Sequence, residues 1–117
     1  ARFELALDAS GVGMWDWDLS SDLIAWDERT CAIFGVPPRA AIRYERFLAL
    51  IDEEDREPTK QLVSRAIDPK GDGRFATEYR ITTADGVSRI ISARGRALFV
   101  EHDGQRKATR FVGTVLD

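Results

Sequence analysis

The chain has 117 residues, 44% of them hydrophobic and 32% charged, the balance of one globular domain with one core rather than of a disordered segment. The net charge is -3, with both signs interspersed and no basic patch, so nucleic acid is not an expected partner. No apolar run approaches the roughly 18 residues that would span a bilayer, no signal peptide is visible, and a single cysteine, Cys31, excludes an intrachain disulfide and fits a reducing, cytoplasmic setting.

Residues 2–9 place Phe3, Ala6 and Leu7 on one face of a short helix that Ser10-Gly11 ends. From Val12 to Leu19 large apolar and acidic residues alternate, the mark of a half-buried strand. Trp15, Trp17 and Leu19 share one face; Met14, Asp16 and Asp18 share the other. Ser20-Ser21-Asp22 reads as a turn, and Leu23 to Trp26 returns as a second strand.

Asp27 is placed to cap a short helix through Phe34, with Gly35 to end it and Pro37-Pro38 to prevent continuation. Tyr44 to Ile51 has helical spacing at Phe47, Leu48 and Ile51. The acidic run Asp52 to Asp55 begins a new segment, and Pro58 is expected in the first turn of the next helix, which carries Leu62, Val63, Ala66 and Ile67 inward.

After the loop Pro69 to Gly73 the period returns to two. Phe75, Thr77, Tyr79 and Ile81 alternate with Ala76, Glu78, Arg80 and Thr82. Ala84-Asp85-Gly86 is a hairpin signal, Val87 to Val100 a long strand, His102 to Gln105 a second hairpin turn, and Thr109 to Leu116 the last strand. The order predicts an α+β fold in a single domain, with short helices packed on one face of an antiparallel sheet.

Trp15-Asp16-Trp17-Asp18, Asp27 with Gly35, Glu78-Tyr79-Arg80, Asp85-Gly86 and Phe111 to Asp117 come in an order and spacing that resembles a PAS domain. The subgroup is similar to the one with an E-x-R, D-G, G-x-x-x-D signature. Two positions depart from the usual pattern: Ile51-Asp52 stands where His-Pro is common, and Ile90 where Trp is common. The resemblance implies a five-stranded antiparallel sheet with an N-terminal helix and short helices cupped over one face, in a domain excised from a larger protein. It implies a sensing or relay role ahead of a C-terminal effector such as a histidine kinase or diguanylate cyclase, in a parent free to be membrane-anchored. The alternative it leaves open is a ligand-free domain that only dimerises and relays.

On that fold the candidate ligand-binding residues are Trp15, Trp17, Cys31, Phe34, Phe47, Phe75, Tyr79, Ile81, Ile91, Phe111 and Val115. They describe a mostly apolar pocket with Tyr79 as hydrogen-bond donor, and equally a packed core. Phe3, Ala6, Leu7, Met14 and Ile90 are the candidate contacts of a homodimer, because exposed apolar groups want a cover. By analogy with the family, Asp117 at the end of the last strand is the candidate relay residue.

No phosphate-binding loop, nucleophile elbow or zinc-protease helix is present, so no catalytic residue is assigned and the domain is not expected to be an enzyme. Glu78 and Arg80 are expected in a salt bridge or cross-strand pair on the outer face. A covalent flavin is disfavoured, since Cys31 lies on the helix after Asp27 rather than the central helical stretch. Haem through histidine is disfavoured, since His102, the one histidine, lies in a turn. One cysteine and one distant histidine build no usual metal site.

Overall fold

Asp27 caps its helix as its type and place require. Its Oδ1 accepts from the Thr30 backbone N–H at 2.9 Å and from the Thr30 hydroxyl at 2.7 Å, and α1 runs Glu28–Phe34 from there. Gly35 ends it at φ 71°, a left-handed turn that a side chain resists. The computed structural model describes residues 10–38 and 41–117. The expected helix carrying Phe3, Ala6 and Leu7 lies outside the described residues.

Strands β1 (Gly13–Asp18) and β2 (Leu23–Trp26) form a hairpin. Three helices follow: α1, α2 (Tyr44–Leu50) and α3 (Glu53–Ile67). The chain then returns as β3 (Arg74–Thr82), β4 (Ser88–His102) and β5 (Gln105–Leu116). All neighbours are antiparallel, in the spatial order β2-β1-β5-β4-β3, so β5 closes against β1 at the centre. This is the α+β, five-stranded architecture that the resemblance implies.

The register fixes which side chains meet. Trp17, Phe111 and Ala97 lie in one row across β1, β5 and β4; Val115 and Ala93 lie in another. All five are buried under the helices, with Tyr79, Ile81 and Ile91. Strand alternation sends Met14, Ile90 and Leu116 to the opposite face, where they stay exposed.

Two expectations shift. Pro58 sits inside α3, not in its first turn, because the acidic residues themselves form that turn. The Arg56 side chain steadies the start of α3 by donating to Ile51 O at 2.8 Å and Ala49 O at 3.2 Å. The last strand begins at Gln105 rather than Thr109. The Asp103-Gly104 turn, with φ 52° and 75°, has the twist of a two-residue hairpin, so the polar residues on both sides pair as strand.

Candidate functional site

The indole of Trp15 has room over the sheet because a cross-strand pair of glycines lies beneath it. Gly95 and Gly113 face each other in the register, and a Cβ on Gly95 would come within 2.7 Å of the Trp15 ring. A Cβ on Gly113 would collide with both the ring and Arg94 O. Trp15 thereby meets Phe111 edge-on at 4.9 Å, and Phe111 meets Phe75 edge-on at 5.2 Å.

The helices close the other side. Trp17 stacks on Tyr44 with centroids 4.6 Å apart, and Trp26 stacks on Phe34 at 4.3 Å. Phe47 reaches Tyr79 at 5.8 Å. These rings enclose a cavity of about 40 Å³. A water needs about 10–15 Å³ and organic ligands occupy about 300–1,000 Å³, so the cavity holds a few small molecules at most without rearrangement.

Of the residues singled out in the sequence, Trp15, Trp17, Phe34, Phe47, Phe75, Tyr79, Phe111 and Val115 line this cavity. Cys31, Ile81 and Ile91 do not. They are buried in the surrounding core, and the Cys31 Sγ lies 4.0 Å from Trp26 O. Sequence reasoning missed Ile24, Trp26, Tyr44, Val63 and Ala93 on the wall. The alternation of Ile24 and Trp26 and the inward helical spacing of Val63 were usable signals; Tyr44 depends on how its helix crosses the sheet.

Tyr44 is the distinctive wall residue. Its hydroxyl is buried and has no partner among the described residues. Burial, then the nearby Glu57 carboxylate, pushes its pKa up to about 12. Tyr79 is raised as well, by burial alone. Asp22, in a left-handed turn at φ 55°, holds this corner together. Its Oδ1 accepts from Trp17 Nε1 at 3.0 Å and from the Tyr44 backbone N–H at 3.2 Å.

Asp117 leaves β5 beside Arg89, with 3.8 Å between Oδ2 and Nη1. The same Nη1 donates to Ile33 O at 3.1 Å and Ala32 O at 3.4 Å, at the C-terminal end of α1. The end of β5 is thus tied to the helix that supplies Phe34 to the cavity.

Of the salt bridge or cross-strand pair expected for Glu78 and Arg80, Arg80 forms the salt bridge, with Asp55. Glu78 stands opposite Ser92 in the register. Arg80 lies at the sheet's edge, where its Nε and Nη2 clasp the two oxygens of Asp55, each at 2.9 Å, and its backbone N–H reaches the same carboxylate at 2.8 Å. The side-chain hydrogen bond from Arg80, then its backbone N–H, lowers the Asp55 pKa to about 2. His102 is exposed at the β4–β5 turn. Among the described residues no cluster of potential metal ligands forms, and no helix is long and apolar enough to cross a membrane.

The sequence model of the PAS fold family matches residues 23–115. The chain belongs to the PAS fold family. It is similar to the probable diguanylate cyclase DgcE of Escherichia coli K12, 28% identical over 105 residues that cover 90% of this chain and 9% of that protein. It is 26% identical to the sensor protein FixL of Bradyrhizobium diazoefficiens, covering 80% of this chain and 18% of FixL. A sensory box histidine kinase/response regulator of Burkholderia thailandensis matches with a TM-score of 0.78 at 26% identity, over 100% of this chain and 84% of that one. The chain thus spans a small part of the full-length relatives it matches. This PAS domain is a signal-sensing domain of the kind carried by such signalling proteins, and the fold is a regulatory one.

Proposed function

We propose that this PAS domain is the input and relay module of a larger sensor protein with a histidine-kinase or diguanylate-cyclase effector, and is not itself an enzyme. The observation that carries the reading is the continuous link from cavity to exit: Phe34 on the wall, the α1 carboxy-terminal carbonyls, Arg89, and Asp117. A change in how the cavity is filled shifts α1 and, through Arg89, the end of β5. Such a shift requires two states with different affinity for the input. In the full-length parent, Asp117→Ala is expected to uncouple output from input while the isolated domain keeps its fold. Normal signal-dependent output from that variant would defeat the relay.

The size of the cavity favours a second reading for the input itself. A space of about 40 Å³ suits a compact ligand of a few heavy atoms, or a filled core in a domain that dimerises and relays. A flavin or haem is larger than this space and would enter only with rearrangement of the wall. Cys31 is off the wall, and His102 sits at a hairpin turn. The purified protein is expected to be colourless above 320 nm, and mass spectrometry after denaturation is expected to release no flavin or haem. A bound chromophore would overturn the size argument and leave the relay intact. We place the domain in the cytoplasm and in a homodimer that covers Met14 and Ile90 on the outer sheet face, with the segment bearing Phe3, Ala6 and Leu7.

A further inference from the structure

Both outer strands of the sheet have something against their free edges. On β2, Ile24 exchanges backbone hydrogen bonds with Ile42, at 2.7 and 3.3 Å. On β3, Asp52 N–H donates to Arg80 O at 2.8 Å and Asp55 accepts from Arg80 N–H. Covering edges in this way prevents stray strand pairing.

One stretch lacks such a cover. Strand β3 begins at Arg74, opposite Arg96, but β4 runs on to His102. The β3 side of the ladder closes with Ala97 N–H donating to Gly73 O at 2.7 Å, and none of residues 69–72 exchanges a backbone hydrogen bond with β4. In the two-residue hairpin, His102 pairs with Gln105 and Val100 with Lys107 as hydrogen-bonded pairs. The N–H and C=O groups of Phe99 and Glu101 therefore point away from β5, in the same direction as Ala97 N–H. Among the described residues none of them finds a backbone partner there. They border an open groove of about 620 Å³ that Arg74, Arg96, Arg106 and Asp72 also line.

The groove has a charge pattern. Arg74 and Arg96 are direct cross-strand neighbours on the outer face, both exposed; neither side chain forms an ion pair among the described residues, and the Asp72 and Glu101 carboxylates line the same groove. Like charges in that position repel. Arg106 is already engaged, donating to Pro69 O at 2.8 Å and Gly71 O at 2.9 Å with its guanidinium 3.8 Å over the Phe99 ring. That contact stiffens the hairpin. Next to Arg96 on the outer face come Leu98 and Val100, both exposed.

We propose that the β4 edge at Phe99 to Glu101 is a docking strand for an extended acidic segment of a partner protein. The segment adds a strand beside β4, exchanges main-chain hydrogen bonds with Phe99 and Glu101, lays an apolar side chain beside Leu98, and puts a carboxylate between Arg74 and Arg96. The exposed apolar neighbours Leu98 and Val100 speak for a peptide over a nucleic acid.

The test is fluorescence anisotropy with a fluorescein-labelled Glu-Thr-Val-Thr-Glu peptide, its Lys-Thr-Val-Thr-Lys counterpart, and a version with proline at the centre. The glutamate peptide is expected to bind at least about tenfold tighter than the lysine peptide, with the preference falling as salt is added. Arg96→Gln or Arg74→Gln is expected to weaken it about tenfold, and Glu101→Pro, which removes an edge N–H, to abolish binding. Both arginine variants lie on the surface and carry the test if the proline variant fails to fold. Equal binding of both charged peptides, binding unchanged in the arginine variants, or no binding of any peptide overturns the proposal. So does a concentration-dependent dimer that Glu101→Pro dissolves, since the occupant is then a second copy.

Discussion

Phe111 and Leu116 belong to the same strand and live in different solvents. Phe111, turned toward the helices, is 2% exposed; Leu116, on the other face, is 43% exposed, and its neighbourhood includes Ile90 at 62% and Met14 at 40%. The inner face is a mesh of rings that meet edge-on or stacked around a small cavity. The outer face mixes isolated apolar groups with arginines and carboxylates, as in the Arg110–Asp16 pair at 2.7 Å. The difference puts the stabilising burial on the first surface and leaves the apolar groups of the second in solvent. Burial of apolar area stabilises at about 25 cal/mol per Å², whereas exposed ion pairs contribute about 0–1 kcal/mol.

The largest expected effect breaks the inner mesh. Phe111→Ala removes the ring that Trp15, Trp17 and Phe75 all touch, and is expected to cost about 3–5 kcal/mol in urea denaturation. A loss under about 1 kcal/mol would mean that the core closes up around the gap, against the jigsaw packing assumed here. Gly113→Ala tests the same face from beneath. The added methyl meets Arg94 O and the Trp15 ring, so a loss of about 1–3 kcal/mol is expected with a changed near-ultraviolet tryptophan signal. An unchanged spectrum would show that Trp15 is not seated on the glycine pair.

Much of this was legible in the chain. Alternation put Trp15 with Trp17 and Phe75 with Tyr79 on one face of their strands, because a strand's period is two, and the resemblance turned those faces and that of Phe111 toward the helices. Asp27 and Gly35 marked their helix because capping is local chemistry. What was not legible depends on distant contacts. Tyr44 joins the wall through Asp22, and Arg80 finds Asp55 rather than Glu78. Arg74 and Arg96 are far apart in sequence and meet only through the β3–β4 register, so a scan for basic runs sees no patch. The Gln105 to Ala108 segment was lost because Gln105, Arg106 and Lys107 are polar and follow the polar Glu101 and His102 across a turn, yet hairpin geometry extends pairing through them.

Two titrations sharpen the division between surface clasp and buried ring. Asp55 has its pKa lowered to about 2 by Arg80, so the folded state binds this proton less readily than the unfolded chain does. Its contribution is present above the ordinary carboxylate value of 3.8 and is lost as pH falls toward 2. Asp55→Asn is expected to flatten the decline of the urea midpoint across that window; an unchanged acid slope would show that the clasp is not coupled to folding. Tyr44 works at the other end. Its pKa is raised from 10.0 to about 12, so folding with a neutral phenol is stable below pH 10 and weakens as pH climbs toward 12. Tyr44→Phe is expected to reduce that alkaline decline, leaving the share that belongs to Tyr79. A variant that declines as steeply as the wild type would place the Tyr44 hydroxyl in water.

The smallest expected effect on stability is on the outer face, and it is the one that separates packing from association. Met14 and Ile90 protrude from β1 and β4 with no cover among the described residues. Replacing both with serine deletes apolar surface that is already in water in the monomer, so the urea midpoint measured at low concentration is expected to move by no more than about 0.5 kcal/mol. If the proposed homodimer uses this face, the same variant shifts the mass seen in light scattering from dimer to monomer at concentrations where the wild type is dimeric. The two readouts come apart because a dimer interface stabilises only by mass action, with the logarithm of protein concentration. A variant that loses several kcal/mol as a monomer would show that Met14 and Ile90 are packed within their own chain, and the contrast between the two faces would fail at the point where it is most exposed to test.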